Sequence, residues 1–160
     1  LILVKYEQKS LQVKTVCLVP KRFFVPRIIE KRKPLAATAR RAGWVGSNII
    51  LEKIPKSGII YVVNEGIISN KEYVLQNWQK TAFLSEFPSA TRGWLLEVMK
   101  CVDSLNSQVF SIDDMYRFEY SLNKIYPQNR NVRAKIRQQL QVLRDNGYLE
   151  FLGGGRYQLT

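Results

Sequence analysis

The chain has 160 residues, 25 basic against 13 acidic and no histidine, for a formal charge of +12 at pH 7. That excess favours a polyanionic partner, nucleic acid ahead of an acidic membrane surface, since no apolar run approaches the roughly 20 residues of a spanning helix. Without histidine, Ser-His-Asp and Cys-His catalysis and His-ligated metal sites are excluded; Cys17 and Cys101 are too far apart for a zinc motif and read as buried free thiols of a cytoplasmic protein.

In chain order, β-forming residues predict strands at 1–6 and 12–19, joined through Glu7-Gln8-Lys9-Ser10. Leu1-Ile2-Leu3-Val4 reads as a buried strand, and a strand at the start of the chain leads to the expectation of a piece cut from something longer. Residues 20–57 are rich in proline and base and are expected to be irregular in part. Within them, Lys21 to Trp44 holds eight basic residues (Lys21, Arg22, Arg27, Lys31, Arg32, Lys33, Arg40, Arg41) against the single acid Glu30. Basic density on a flexible backbone suits phosphate contact; a solvated basic loop is the other reading. Trp44, between Gly43 and Gly46, is either a lid over a core or an exposed ring suited to methyl groups in a DNA major groove. A third strand is predicted at 59–63, closed by Asn64-Glu65-Gly66, and a helix from about 70 to 82 with Tyr73, Val74 and Trp78 on one side.

Pro88 and its polar neighbours mark a boundary. Residues 1–88 carry 15 basic and 6 acidic residues and residues 89–160 carry 10 and 7, so the first segment holds most of the net charge. The first segment reads as the end of an α/β or mixed-sheet domain and the second as a winged helix. Its first helix is predicted near 92–104, with Trp94, Leu95, Val98 and Val102 inward, followed by a short strand at Val109-Phe110. Ser111-Ile112-Asp113-Asp114 resembles a capping box and opens a second helix through about Lys124, with Met115, Phe118 and Leu122 inward.

A third helix at 132–146 buries Val132, Ile136, Leu140 and Leu143, which share one helical stripe. Asn131 is placed to cap it, and Gly147 to take the left-handed position after its last turn. The opposite face carries Arg133, Arg137, Gln138, Gln141 and Arg144. Arg pairs bidentately with guanine and Gln with adenine, so this is a candidate recognition helix. Arg133, Arg137, Gln138 and Gln141 are the candidates for groove contact; Lys33, Arg40, Arg41 and Arg156 are the candidates for phosphate contact. Residues 148–152, Gly153-Gly154-Gly155 and 156–159 make the wing. Tyr116, Phe118 and Trp94 read as core.

Two long motifs carry a resemblance. They are Arg32-Lys33-Pro34-Leu35-Ala36-Ala37-Thr38-Ala39-Arg40-Arg41-Ala42-Gly43-Trp44-Val45-Gly46 and Lys135-Ile136-Arg137-Gln138-Gln139-Leu140-Gln141-Val142-Leu143-Arg144-Asp145. With Arg92-Gly93-Trp94 and Asp114-Met115-Tyr116-Arg117-Phe118-Glu119, the chain from about Phe24 onward resembles the DpnI-type, methyl-directed restriction endonucleases of the Dam-replacing family. The resemblance implies a mixed α/β (α+β) architecture: the C-terminal part of a PD-(D/E)xK nuclease-like domain over 1–88, then a winged-helix domain over 89–160. It also implies cleavage of double-stranded DNA at adenine-methylated GATC with Mg²⁺, and makes Trp44 the candidate sensor of the adenine methyl groups.

The chain departs from that pattern in its acids. PD-(D/E)xK chemistry needs one acid followed by a second acid and a lysine two residues apart, to hold Mg²⁺ and orient water. Residues 1–88 contain no aspartate, their only Glu-x-Lys is Glu7-Gln8-Lys9 in an expected turn, and the family's Cys-rich zinc element is absent. The expectation is therefore a truncated, monomeric, binding-competent member with no catalytic residue and no metal ligand of its own. The alternative is a non-enzymatic winged-helix regulator, in which the basic Trp44 loop has no evident role. RNA binding is disfavoured, because the recognition helix suits a B-form groove and no paired-strand aromatic platform is present.

Overall fold

Alternating apolar residues pair at the start of the chain. In the computed structural model, which describes residues 1–160, β1 (Ile2–Tyr6) and β2 (Val13–Leu18) run antiparallel with Leu3 opposite Cys17. The chain then makes two 3-10 turns, Lys21–Phe23 and Pro26–Ile28, that bury Phe23 and Ile28. A small hairpin of β3 (Ile29–Lys31) and β4 (Ser47–Ile49) follows, then β5 (Ile60–Asn64) and β6 (Ile67–Ile68). Glu65 and Gly66 both adopt positive φ, 51° and 80°, which is what a two-residue hairpin turn requires. The main sheet is antiparallel throughout, in the order β1-β2-β5-β6.

One expectation for this segment fails. The first strand is not buried: β1 is the edge of the sheet, and Ile2, Val4 and Tyr6 are exposed on it. The helix predicted at 70–82 forms as α1 (Lys71–Lys80), with the Asn70 side chain accepting from the Glu72 N–H, but no residue of it is buried. Tyr73 and Trp78 stay exposed, and Val74 is half-buried. The hairpin β3–β4 and the short β6 were not expected from the sequence.

The second segment is a winged helix. α2 (Ser89–Leu105) buries Trp94, Leu95, Val98 and Val102 as the periodicity requires, and Asn106 ends it in the left-handed conformation. β7 (Val109–Ser111) leads into α3 (Ile112–Tyr116), α4 (Glu119–Ile125), α5 (Val132–Asp145), β8 (Leu149–Gly153) and β9 (Arg156–Leu159). The strands pair in the order β7-β9-β8. The expected second helix is broken at Arg117-Phe118: the Phe118 N–H bonds the Met115 carbonyl at 3.1 Å, tightening the turn and swinging Phe118 against the core. Ser111 and Asp114 form the capping box that the sequence spelled.

The two segments share one hydrophobic core in which Phe23, Ile28, Ile54 and Leu84 join Leu95, Met99, Leu122, Ile136 and Leu140. Polar contacts reinforce the junction. Lys56 donates its backbone N–H to Asp103 at 2.7 Å and its Nζ to Asn106 at 3.0 Å, and the Tyr148 hydroxyl donates to Ser57 at 3.1 Å. Gly58 lets the chain pass here, since a Cβ would stand 2.6 Å from the Phe23 ring. Both cysteines are buried free thiols. No helix is long and apolar enough to cross a membrane.

Candidate nucleic-acid interface

Helix α5 buries one face, Gln139 included, and exposes the other. Val132, Ile136, Leu140 and Leu143 are each no more than 2% exposed, and each such burial contributes about 1.5–3 kcal/mol, which fixes the rotation of the helix. The opposite side, Arg133, Arg137, Gln138 and Gln141, is exposed together, so the structure brings these four predicted residues onto one face. The start is not capped as expected: the Asn131 side chain makes no cap bond, and the Asn131 N–H instead donates to Asn129 Oδ1 at 2.8 Å. Gly147 does take positive φ, 70°, after the last turn.

The exposed face is partly ordered by its neighbours. Arg133 Nε lies 2.7 Å from Glu119 Oε2, and its guanidinium stands 4.9 Å from the centre of the Tyr116 ring. The hydrogen bond that Arg133 donates to Glu119, and the charge of Glu119, raise the Arg133 pKa. Arg137 donates to the Tyr116 hydroxyl at 3.0 Å, and Lys135 donates to Gln138 Oε1 at 2.7 Å while lying over the Trp94 ring. Trp94 is core as expected, stacked on Tyr126 with centroids 3.9 Å apart. Tyr116, read from the sequence as core, is only half-buried and uses its hydroxyl at the surface.

The wing turns through Gly153, Gly154 and Gly155, all at positive φ, where a side chain would be strained. Gly155 is also packed: a Cβ there would meet Ile112 at 3.2 Å. On β9 the strand alternation buries Tyr157 against Phe110 and leaves the predicted Arg156 exposed, opposite Ser111.

The Trp44 segment is an ordered arm, not a free loop. The β3–β4 pairing continues outward, with the Arg32 N–H bonding the Gly46 carbonyl and the Leu35 N–H bonding the Trp44 carbonyl, both at 2.9 Å. Gly43 reverses the chain at φ 78°. The Trp44 ring folds over Gly46, where a Cβ would stand 2.9 Å from two ring carbons, and it remains 53% exposed. It is no lid over a core. Lys33, Arg40 and Arg41 are exposed on this arm, as are Lys31 and Arg32, which had been counted in the basic run without being singled out.

Two cations of that run belong to the fold. Arg22 is buried, donates to Thr81 Oγ1 at 3.0 Å and to the Trp78 carbonyl, and lies over the Trp78 ring; burial lowers its pKa. Arg27 pairs with the buried Glu97 at 2.7 Å. The local sequence carries no sign of either partner, because both lie far along the chain.

A concavity of about 800 Å³ opens beside Trp44, lined by Phe24, Pro26, Ile29, Lys31 and Val45. A second, of about 490 Å³, shares Val25 and Pro26 with it and reaches Gly93, Ile125 and Tyr126. A third shares Ile125 and Tyr126 and extends to Trp94 and Asn129, at the approach to α5. The three concavities lie between the Trp44 arm and the segment that precedes α5. The surroundings of Tyr126 push its hydroxyl pKa up to about 12, through burial first and Glu97 second.

The carboxylates do not assemble a metal centre. No group of three or more His, Cys, Asp or Glu side chains stands close enough to hold an ion, and Glu7 sits in the β1–β2 turn, accepting from the Ser10 hydroxyl. Asp114 is engaged by Ser111, Asp103 by Lys56 and Glu97 by Arg27.

An antiparallel sheet and a separate hairpin arm bearing basic and aromatic residues, packed on a winged helix with an exposed Arg/Gln face, define a DNA-binding protein of mixed α/β fold. Comparison with known families makes the assignment specific. Residues 1–87 match the Dam-replacing family and residues 90–159 match the Dam-replacing HTH domain. The chain belongs to this DpnI-type restriction endonuclease family, and its partner is DNA.

Proposed function

We propose that the chain reads adenine-methylated duplex DNA of the GATC type as a monomer, binding without cutting. Helix α5 enters the major groove with Arg133, Arg137, Gln138 and Gln141, while Lys33, Arg40, Arg41 and Arg156 meet phosphates. Trp44 contacts the methyl groups. The observation that carries this reading is Trp44 itself: a large apolar ring, 53% exposed, held on a hydrogen-bonded arm among unpaired cations. Removing a methyl-sized group from water yields about 0.8 kcal/mol, so two methyls in contact with the ring favour the methylated duplex roughly fifteen-fold. The absence of aspartate from residues 1–88, with Glu7 committed to a turn, supports binding without cleavage by this chain.

A salt titration with Mg²⁺ present tests the proposal, using short duplexes with and without methylated GATC and a denaturing gel to detect strand breaks. The expected result is preference for the methylated duplex, affinity falling steeply with salt, and intact strands. Equal affinity for the two duplexes would favour the regulator reading, and Mg²⁺-dependent nicking would overturn the non-cleaving part.

A further inference from the structure

Residues that face DNA in a strongly basic protein are expected to be cations and neutral polar groups. Glu119 breaks that expectation. It stands at the start of α4 with its carboxylate 2.7 Å from Arg133, in the first turn of the recognition helix. The pair is exposed, with the Arg133 side chain 60% and the Glu119 side chain 34% accessible. Surface pairs of this kind add little to stability, so folding does not explain the acid. Tyr116, at the end of α3, completes the group. Its ring lies beneath the Arg133 guanidinium and its hydroxyl accepts from Arg137 at 3.0 Å, so one side chain touches arginines on two successive turns of α5.

We propose that Tyr116 and Glu119 are positioning residues, which pre-orient Arg133 and Arg137 for base-edge contact and withhold them from phosphates. The proposal rests on the reading that α5 enters the groove. Two physical effects support it. An Arg fork reads guanine only when its plane is set, and a long side chain fixed before binding loses less freedom on binding. A carboxylate beside the arginine also repels phosphates, whatever the sequence, so it lowers binding to every duplex. The first effect strengthens correct contacts and the second weakens indiscriminate ones. Both widen the gap between specific and random DNA.

The test measures affinity of the 160-residue chain for a methylated GATC duplex and for a random duplex, each across a salt series. Glu119→Gln keeps a side-chain oxygen and removes the charge. It is expected to bind random DNA several-fold more tightly, with a salt slope steeper by about one unit, and to lose discrimination. Tyr116→Phe keeps the ring beneath Arg133 and removes only the bond to Arg137. Its discrimination is expected to fall by roughly 3- to 10-fold with the salt slope unchanged. Arg133→Ala and Arg137→Ala report on the underlying reading. If they bind as the unaltered chain does, α5 is not the contact and both readings fall. If they weaken binding while Glu119→Gln and Tyr116→Phe retain its slope and discrimination, the positioning role alone is overturned. A uniform loss on all duplexes in Glu119→Gln or Tyr116→Phe would also overturn it, since that is the mark of a structural role.

Discussion

Arg27 Nε lies 2.7 Å from Glu97 Oε1, and this ion pair joins the sheet segment to the first helix of the winged helix. Glu97 is 7% exposed, so its carboxylate depends on Arg27 for its charge partner. The contact adds a directional element to the shared apolar core and helps to hold the Trp44 arm in one placement relative to α5.

Arg27→Ala should therefore destabilise the whole chain by about 2 kcal/mol, by stranding a buried carboxylate. A thermal melt should show this as a fall of roughly 4–8 °C. Replacing both partners by Met and Leu should recover most of the loss, because a buried pair exchanged for apolar groups is close to neutral. An unchanged midpoint in Arg27→Ala would show that the pair does not contribute.

Gly46 tests how the Trp44 ring is held. A Cβ at this position would stand 2.9 Å from the ring, so Gly46→Ala must displace it. Because Trp44 is half-exposed, the melting midpoint should barely move, whereas any preference for methylated DNA should fall towards that of Trp44→Ala. Retention of the full preference would mean that the ring orientation seen here is not the one used.

The capping box makes a prediction about pH. The Ser111 hydroxyl and N–H donate to Asp114 at 2.7 and 3.0 Å and hold its carboxyl below the ordinary carboxylate range. The unfolded chain then binds more protons than the folded one between the two values. The stabilisation is complete above the unfolded value of about 3.9 and is lost as pH falls through the lower, folded value. Asp114→Asn should therefore show a shallower loss of stability below about pH 4, measured by denaturant midpoints. Coincident pH profiles for the two proteins would contradict it.

The thiols should be inert in the folded chain. Burial, aided by Glu97, pushes Cys101 up to about 12, and burial also raises Cys17. Thiolate is the reactive species, so a thiol reagent at mildly alkaline pH should label neither residue quickly, and both after unfolding. Rapid labelling of Cys101 in the native protein would show that its site opens.

The parts of this fold that were legible in the sequence are those set by near neighbours. The stripe at Val132, Ile136, Leu140 and Leu143 was readable because helical period and burial are the same fact, and Ser111 with Asp114 because a cap spans only three residues. Arg22 and Arg27 belong to a basic run that reads as phosphate-contacting or solvated, because charge in an irregular segment carries no sign of a buried partner. Arg22 is buried against Thr81 and Trp78, while Arg27 stays exposed and pairs with Glu97, partners that only the tertiary fold brings near. Trp78, placed by the sequence only on one side of its helix, is 43% exposed and serves as the platform for Arg22. The arm was read as a loop for a related reason. Its order comes from backbone bonds such as Arg32 to Gly46, which leave no trace in side-chain pattern. Tyr116 reads as core and Glu119 as an ordinary helix acid because their contacts with α5 leave no mark in their own helix.

The most direct test is an equilibrium binding cycle, with the unaltered chain and Trp44→Ala each titrated against fully methylated and unmethylated GATC duplexes at one salt concentration. The unaltered chain should prefer the methylated duplex by roughly ten-fold or more, and Trp44→Ala should show little preference while still binding both. Equal affinities in the unaltered chain, or a preference that survives in Trp44→Ala, would contradict the assignment of this arm as the methyl reader.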